Sequence, residues 1–383
     1  MQPGIGCHLP IGRTRRLRLG GPQLFYNADV KTCDVIVVGG GIIGLSLAIS
    51  LRKRGAAVLV VERGEPGREA SHAAGGMLVD CGLELPDPLQ PLAVASARLY
   101  PEFVRELEVE SGMKTDLREY GTIIIPPPEH VHERPGFNSA NLLPAPLSEM
   151  EPALAQPDRS AFYLNERSVD PRGLVAAALK TAKNRGVDFS SGDEVTAVTL
   201  AEGRVAGVST KKTSFHAAKV VNCAGAWSGT IAPHRFPTRP VKGQMLCLVM
   251  PSRNLIKHVI RSPQAYLIPR SDGRLLVGAT VEEAGFDKRT VPTTIQHFYH
   301  AALDLVPHLR GAKILEDWAG LRPGTPDALP LLGATETPGY YAATGHFRDG
   351  ILLAPITAQL MAAVIEGRAP EYDLTAFSPS RFA

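Results

Sequence analysis

A glycine-rich turn near the start of the chain is the first place where residue types and spacing point to chemistry. Gly39, Gly41 and Gly44 form the spacing G-x-G-x-x-G directly after the apolar run "DVIVVGG", and the segment "IIGLSLAISLRKRG" follows. In this pattern the first glycine permits a tight turn, the second lets a pyrophosphate approach the backbone, and the third lets the helix pack closely on the strand. The stretch therefore predicts a strand, a phosphate-binding turn and a helix.

An acidic residue completes this motif. Glu62 ends the second apolar run, "AVLVVE", eighteen residues after Gly44, close to the spacing of about 20 at which a carboxylate bonds the ribose of a dinucleotide. Because an acid rather than an arginine stands there, the position disfavours an NADP-like ligand with a 2′-phosphate. The sequence has no second G-x-G-x-x-G. The ligand is therefore either NAD, or an FAD whose organic substrate is itself the reductant.

The remaining patterns predict the helices and strands that must position these residues. Helical spacing recurs in "LAVASARLYPEFVRELEVESG", "SVDPRGLVAAALKTAKNRGVDF", "TTIQHFYHAALDLVPHL" and the C-terminal "GILLAPITAQLMAAVIEG". Strand patterns turn at Glu202-Gly203 and Asp272-Gly273, as hairpins do. Ser148 and Glu151 match the capping box of a short helix, and residues 126–146 are predicted to form a loop. Nucleotide-binding units thus stand at the start, middle and end of the chain, with β-rich segments between them.

Composition and charge argue against several classes of protein. The net charge is +3 and charges of both signs are interspersed, whereas nucleic-acid-binding proteins concentrate basic residues on one face. A basic cluster at residues 13–18 has no apolar region after it, so it does not match a secretory signal. The longest apolar run, from Ile351 to Ile365, is shorter than the about 20 residues that span a bilayer.

The five cysteines are scattered, odd in number and without metal or redox spacing. With no secretory signal, this usage favours a reducing compartment. We therefore expect a cytoplasmic protein that binds no nucleic acid, no membrane and no metal.

Seven segments together resemble the D-amino acid oxidase family of FAD-dependent oxidoreductases, and most closely its glycine oxidase branch, which is linked to thiamine biosynthesis. They are "DVIVVGGGIIGLSLA", "GREASHAAGGML", "VDPRGLVAAAL", "VVNCAGAWS", "YLIPRSDGRLLVGAT", "WAGLRPGTPDALPLLG" and "TGHFRDGILLAP". The last three, in this order, are the most specific. The resemblance runs from about Cys33 to Arg368.

The resemblance implies a mixed α/β fold, in which a Rossmann-like FAD-binding domain is interleaved with an antiparallel-sheet substrate domain. The predicted FAD-binding segments are residues 33–85, 150–236 and 312–383. The predicted substrate-binding segments are residues 86–149 and 237–311. Residues 1–32 are predicted to be a disordered extension.

The resemblance also implies a set of FAD-binding residues. In order along the chain they are Gly39, Gly41, Ile42, Ile43, Gly44, Glu62, Arg63, Ser71, Ala74, Gly75, Gly76, Met77, Val195, Ala224, Gly225, Trp227, Arg348, Gly350, Ile351 and Leu352. Related sarcosine oxidases attach flavin through a cysteine shortly before the "TPD" motif. Here "WAGLRPG" stands in that place, so non-covalent FAD is implied.

Three residues are implied to act on the substrate. From the residues alone, Arg322 could make an ion pair, Tyr266 could be a strand aromatic and Arg348 could shape a helix start. By resemblance, Arg322 binds the substrate carboxylate, which its planar fork matches with two parallel bonds. Tyr266 bonds the same carboxylate, and Arg348 is a second arginine near the cleft. His346 is interpreted as structural or flavin-lining, because hydride transfer from a neutral amine needs no side-chain base.

The predicted function is oxidation of glycine or a similar small amino acid, with O2 as the electron acceptor. By resemblance, Val281 falls where a flexible apolar residue, typically a methionine, forms a wall of the substrate pocket. Because valine is shorter, sarcosine, D-alanine and D-proline stay open as substrates. The alternatives are a D-amino acid dehydrogenase that passes electrons to a quinone or carrier, and a flavin-binding protein without catalysis. The family also suggests a homo-oligomer.

Overall fold

The computed structural model describes residues 33–80, 85–126, 143–155 and 159–382. The predicted extension at residues 1–32 lies outside the described residues, as does most of the predicted loop at 126–146.

The first sheet contains the strand that leads into the glycine-rich turn. Its members are β1 (Val35–Val38), β2 (Val58–Glu62), β8 (Asp188–Ser191), β12 (Lys219–Asn222), β18 (Leu331–Ala334) and β19 (Tyr340–Thr344). The order across the sheet is β18-β19-β12-β1-β2-β8, with β18 antiparallel and the rest parallel.

Both faces of this sheet are covered, which accounts for the continuous apolar run in β1. Val35 and Val37 point into a core shared with the helices, whereas Ile36 and Val38 point into a core on the opposite face. The helical core is formed by α1 (Ile42–Lys53), α3 (Gln90–Ser111), α5 (Pro171–Asn184) and α7 (Gly350–Ile365). The opposite core is closed by a three-stranded sheet of β9 (Val195–Ala201), β10 (Arg204–Thr210) and β11 (Ser214–His216).

A second large sheet has eight strands in the described residues. They are β4 (Thr122–Ile124), β5 (Leu143–Pro144), β6 (Phe162–Leu164), β13 (Arg239–Val249), β14 (Val259–Arg261), β15 (Tyr266–Pro269), β16 (Arg274–Gly278) and β17 (Lys313–Gly324). The order is β17-β13-β16-β15-β14-β4-β6-β5, in which β14 and β4 run parallel and the other neighbours are antiparallel. Helix α6 (Pro292–Leu305) packs on one face.

The remaining elements are short. They are α2 (Ala70–Ala73), α4 (Leu147–Met150), the strand pair β3 (Met77–Leu78) and β7 (Arg167–Ser168), and 3₁₀ helices at Asp87–Leu89, Gly225–Thr230, Pro307–Leu309, Thr375–Phe377 and Pro379–Phe382. Both predicted hairpins are present: β9 turns into β10 at Glu202-Gly203, and β15 turns into β16 through Asp272-Gly273.

Sheet membership departs from the predicted segment bounds at three elements. Strands β6 and β17 belong to the second sheet, although residues 150–236 and 312–383 are predicted to be FAD-binding. Helix α3 packs in the helical core of the first sheet, although residues 86–149 are predicted to be substrate-binding. The division into domains stays a prediction.

The predicted capping box is wrong. Helix α4 begins at Leu147 after Pro146, and its N-cap makes no side-chain hydrogen bond. Glu151 instead accepts hydrogen bonds from the amides of Lys257 and His258, each at 2.7 Å. Tertiary donors from the segment before β14 therefore outcompete the local cap. No helix in the described parts of the chain is both long and apolar enough to cross a membrane.

Candidate active site

A cavity of about 620 Å³ lies where the carboxyl ends of the parallel strands meet the second sheet. Its wall includes Gly39, Arg63 and Ala224, which follow β1, β2 and β12, and also Tyr266 and Arg322 from the second sheet. Open α/β sheets bind their ligands outside the carboxyl ends of the strands. The cavity therefore lies between the carboxyl edge of the first sheet, where a nucleotide is expected to bind, and the face of the second sheet that carries Tyr266 and Arg322.

Helix α1 directs its N-terminal end at this cavity. Gly41 is its N-cap residue, and no acidic residue stands in its first turn. The Ser71 hydroxyl accepts a hydrogen bond from the Ile42 amide at 3.0 Å. A β-carbon on Gly44 would collide with the carbonyl oxygen of Gly39, so the third glycine of the motif serves close packing. Such a helix end attracts phosphate groups, because its amides and its dipole both favour negative charge.

Glu62 lies in the cavity wall at the end of β2, where its side chain is held by two backbone amides. Its Oε2 accepts a hydrogen bond from Gly40 at 2.7 Å, and its Oε1 accepts one from Gly64 at 2.9 Å. An ionised carboxylate has about four acceptor positions. The carboxylate is therefore fixed in place and retains the capacity to accept from a ribose hydroxyl.

An aromatic stack borders the same end of the cavity. The Arg63 guanidinium lies 4.1 Å from the ring centre of Trp227. Phe286, from the loop after β16, stacks on Trp227 with ring centres 5.3 Å apart. In the same loop, Lys288 pairs with Glu69 at 3.0 Å. The loop after β16 thus contacts the nucleotide-binding side of the cavity through the Phe286 ring and the Lys288–Glu69 ion pair.

Arg322 is held from behind by backbone carbonyl groups. It lies in β17 opposite Val241 of β13, and its Nη1 donates to the carbonyls of Thr280 at 3.0 Å and Lys242 at 3.3 Å. Burial lowers the pKa of Arg322, as does the charge of Arg348, whereas Tyr266 raises it. Because arginine keeps its proton in proteins, the wall presents a fixed, partly buried cation.

Tyr266 stands beside it on the cavity face of the second sheet. In the strand register Tyr266 pairs with Gly278 on one side and Arg261 on the other, and Gly278 pairs with Met245. Directly opposite residues share one sheet face, and the Tyr266 hydroxyl lies 3.8 Å from the Met245 sulfur. Burial raises the pKa of Tyr266, against a smaller lowering by Arg322. The hydroxyl therefore stays protonated and can donate a hydrogen bond at neutral pH.

Arg348 and His346 belong to the turn before α7. Arg348 is exposed at the cavity wall, with its guanidinium carbon 5.3 Å from the centre of the Phe347 ring. His346 is 3% exposed, and its Nε2 lies 3.1 Å from the Thr357 hydroxyl. Burial lowers the pKa of His346 to about 3. The imidazole is therefore neutral at physiological pH, as a lining residue rather than a proton carrier would be.

Most of the predicted site residues meet in this cavity. Arg322, Tyr266 and Arg348 are all in its wall. The predicted cofactor residues in the wall are Gly39, Gly41, Ile42, Ile43, Glu62, Arg63, Ser71, Ala74, Gly75, Gly76, Met77, Val195, Ala224, Gly225, Trp227, Arg348, Gly350 and Ile351. Gly44 lies behind the wall, in the packing contact with Gly39. Leu352 is also elsewhere: its side chain is 1% exposed in the helical core, because the next position of α7 faces away from the cavity.

Sequence reasoning missed four residues of the second sheet and its loop. Gly243, Met245 and Arg261 are in the cavity wall, and Thr280 lies directly behind Arg322. Alternation along β13 does place Gly243 and Met245 on one face. Which face meets the cavity depends on the pairing of β13 with β17, a strand far along the chain. No local signal reports that pairing.

The described residues fit an FAD. The N-terminal end of α1 suits its pyrophosphate, Glu62 suits a ribose, and the cavity continues from Trp227 to Tyr266. Among the residues that the structure describes, no three His, Cys, Asp or Glu side chains cluster as metal ligands would.

Comparison with known proteins places the chain in a family. The sequence model of the family DAO, FAD dependent oxidoreductase, matches residues 34–364. The chain is 38% identical over 359 residues to the "Bifunctional protein ThiO/ThiG" of Synechocystis sp., covering 92% of this chain and 54% of that protein. It thus spans about half the length of the first curated relatives that it matches.

Solved structures agree with this placement. The crystal structure of glycine oxidase from Geobacillus kaustophilus superposes with a TM-score of 0.84 at 32% identity, covering 91% of this chain and 99% of that one. The structure of iminodiacetate oxidase from Chelativorans sp. BNC1 has a TM-score of 0.81 at 26% identity, covering 90% and 98%.

Proposed function

Because this chain belongs to the DAO family of FAD-dependent oxidoreductases, we propose that it oxidises glycine or a similar small amino acid, such as sarcosine, D-alanine or D-proline. The imino acid formed is hydrolysed to a 2-oxo acid and ammonia or an amine. O2 is the proposed electron acceptor, which becomes H2O2. The observation that carries the proposal is the partly buried Arg322 guanidinium beside the Tyr266 hydroxyl, in one cavity with the glycine-rich turn.

Arg322 and Tyr266 are assigned to the substrate carboxylate. A planar guanidinium binds a carboxylate through two parallel charge-assisted hydrogen bonds, and these are stronger where little water competes. The protonated Tyr266 hydroxyl adds a third donor. Arg348, which is exposed at the wall, contributes positive charge at the mouth of the cavity. A substrate held in this way has a fixed α-carbon position, and such orientation supplies much of the catalysis in a two-substrate reaction.

The cofactor is assigned to the opposite end of the cavity, at the N-terminal end of α1, Glu62 and the stack of Arg63 on Trp227. FAD held by these residues would supply the hydride acceptor for the α-carbon of the substrate and the route of the electrons to the final acceptor. The chain needs no side-chain base if the amine arrives neutral. The neutral His346 then lines the cavity and forms a hydrogen bond with Thr357.

Small substrates suit the cavity wall. Met245, 2% exposed, borders the Tyr266 hydroxyl, and Val281 lies at the mouth with 54% of its surface exposed. A valine leaves more room there than the longer apolar residue that the family resemblance implies. For this reason the proposal keeps sarcosine, D-alanine and D-proline beside glycine.

A second substrate class is favoured by one observation. Arg261 lies in the cavity wall directly opposite Tyr266 in the strand register, and it pairs with Glu166 at 4.0 Å. Arg261 is a third arginine of the wall, beside Arg322 and Arg348, and this additional cation suits an amine that carries two carboxylates. Iminodiacetate is such an amine, and iminodiacetate oxidase is one of the proteins that this chain resembles in structure. Competition between glycine and iminodiacetate for the same protein discriminates between the two classes.

The acceptor is tested with an oxygen electrode. Purified FAD-loaded protein and glycine should consume O2 and release H2O2 in equal amounts, and added catalase should return half of the oxygen. Turnover that requires a quinone dye and leaves O2 unconsumed would instead support the D-amino acid dehydrogenase alternative. A place in thiamine biosynthesis, which the family resemblance implies, is part of the proposal and is tested by complementation of a glycine oxidase deletion.

A further inference from the structure

We propose that Glu282 is a positioning residue, which holds the Arg322 guanidinium in its carboxylate-binding orientation by acting through Thr280. The inference rests on the proposed function, in which Arg322 binds the substrate carboxylate. Glu282 itself is outside the cavity wall, whereas its neighbour Val281 and the guanidinium of Arg322 are in it.

The orientation of Arg322 depends on where two carbonyl groups stand. Its Nη1 donates to the Thr280 carbonyl at 3.0 Å and the Lys242 carbonyl at 3.3 Å. Thr280 belongs to the loop after β16 and Lys242 to β13. A guanidinium presents its donors in a rigid fork, so a shift of either carbonyl turns the edge that meets the substrate.

Glu282 fixes Thr280 by accepting a hydrogen bond from its hydroxyl. Its Oε1 accepts hydrogen bonds from the Thr280 hydroxyl and from Gln244 Nε2, the latter at 2.7 Å. The Thr280 hydroxyl accepts in turn a hydrogen bond from the backbone amide of Gln244 at 2.9 Å. Thr280, Glu282 and Gln244 thus form a closed ring of hydrogen bonds, and the carbonyl that receives Arg322 belongs to one of its members.

Gln244 extends this ring to the far end of the loop. Its Oε1 accepts a hydrogen bond from the Val291 amide at 2.6 Å, and its side chain is buried. The segment that starts at Thr280 and ends at Val291 is therefore tied back to β13 at both ends. A loop fixed in this way loses less conformational entropy when substrate binds beside it.

Glu282 also fixes Lys242, the residue that supplies the second carbonyl. Its carboxylate compensates the positive charge of the Lys242 side chain. Lys242 and Glu282 exchange two backbone hydrogen bonds, at 2.9 and 3.0 Å. The Lys242 ammonium, with a side chain only 4% exposed, lies 3.7 Å from Glu282 Oε2. A buried cation without its partner is costly, and here it would stand on the strand that supports Arg322. One carboxylate therefore compensates Lys242 and orders Thr280.

The test compares Glu282→Gln with Glu283→Gln. Glu283 is the adjacent acid, and it pairs with Arg239 at 3.1 Å on the surface. In FAD-loaded Glu282→Gln we expect the KM for glycine and the dissociation constant for acetate to rise on the order of tenfold, the size of losing one hydrogen bond to a charged group. The kcat should fall by less than half. Acetate affinity is measured by calorimetry, and Glu283→Gln should match the wild type in all three quantities.

A second variant decides the case if Glu282→Gln does not fold. Thr280→Val removes the hydroxyl that joins Glu282 to the Thr280 backbone and leaves the Lys242–Glu282 pair intact. It should weaken acetate binding in the same direction, and Glu282→Asp should recover part of the affinity lost in Glu282→Gln. Unchanged acetate binding in Glu282→Gln, or in Thr280→Val where the first variant is unfolded, overturns the positioning role. Because Arg322→Ala is measured in parallel, normal acetate binding by that variant separately overturns the proposed function.

Discussion

The guanidinium of Arg322 fills the space that a β-carbon on Gly243 would occupy. Gly243 stands two residues after Val241, the strand partner of Arg322, and pairs with Gly320. The arginine side chain therefore crosses β13 at a position without a side chain and enters the cavity from there. A glycine in the middle of a buried strand weakens the strand. At this site the glycine provides the room that the Arg322 guanidinium needs to reach the proposed carboxylate site.

Gly243→Ala should therefore displace the Arg322 guanidinium. The added methyl group meets Nη1, Nη2 and Cζ of Arg322 at once, so the guanidinium must move rather than adjust slightly. We expect acetate affinity and kcat/KM for glycine to fall at least tenfold, with FAD content unchanged. Calorimetry with acetate and flavin absorbance measure the two effects.

Gly311→Ala is the matched control for this substitution. Gly311 has a φ of +82° and no atom within 4 Å of an added β-carbon. The change should lower the free energy of unfolding by roughly 1–2 kcal/mol through backbone strain. It should leave acetate binding as it is in the wild type. Equal losses of acetate affinity in Gly243→Ala and Gly311→Ala would show that the loss comes from general destabilisation and not from displacement of the Arg322 guanidinium.

Tyr266→Phe should remove one donor from the substrate carboxylate. The loss of a hydrogen bond to a charged group weakens binding by about tenfold or more, so the KM for glycine should rise while FAD stays bound. Since burial raises the pKa of Tyr266, the effect should be the same from pH 6 to 9. Tyr120→Phe, which alters a half-exposed ring outside the cavity wall, is the control. An unaltered KM in Tyr266→Phe would remove the hydroxyl from the proposed site.

The neutral His346 predicts a pH dependence of stability. Burial lowers its pKa to about 3 from the ordinary 6.5, so below pH 6.5 the unfolded chain binds a proton that the folded chain does not. The free energy of unfolding should then fall as the pH drops from 6.5 towards 3, by at most about 1.4 kcal/mol per pH unit. His346→Gln should lack this component. Urea unfolding of both proteins at pH 7 and pH 4, at saturating FAD, gives the comparison, and parallel losses would show that His346 is not the group.

The flavin should be released by acid. Cys223 lies in the cavity wall, but burial raises the pKa of its thiol, and a protonated thiol is a poor nucleophile. Acid precipitation should therefore leave a colourless pellet and a yellow supernatant, and Cys223→Ser should bind FAD as the wild type does. Flavin that stays with the pellet would contradict non-covalent binding.

The nucleotide-binding half of the site could be predicted from the sequence because its signals are local. The residues from Gly39 to Glu62 form one turn, helix and strand after β1, and each part has its own pattern. Arg322 and Tyr266 stand far apart in the chain, and only the family resemblance predicted that they act together. The structure places both in one cavity wall.

The supports of Arg322 could not be predicted in the same way. Gly243, Thr280 and Glu282 acquire their roles from the pairing of β13 with β17 and from the return of the loop after β16. Glu151 shows the opposite error, since a local capping pattern gave way to donors from Lys257 and His258. Local patterns identified elements, and long-range pairing decided which side chains meet.

The most direct test of the proposed oxidation is anaerobic mixing of the yellow protein with glycine, followed by the same measurement on Arg322→Ala. We predict that glycine, or a small amino acid from a panel with sarcosine, D-alanine and D-proline, bleaches the wild-type flavin without any added nicotinamide. At equal substrate concentration and equal FAD content, Arg322→Ala should bleach on the order of 100-fold more slowly, since several kcal/mol of carboxylate binding is lost. A wild-type flavin that stays yellow with every amino acid, or an Arg322→Ala variant that bleaches at the wild-type rate, would contradict the proposed oxidation.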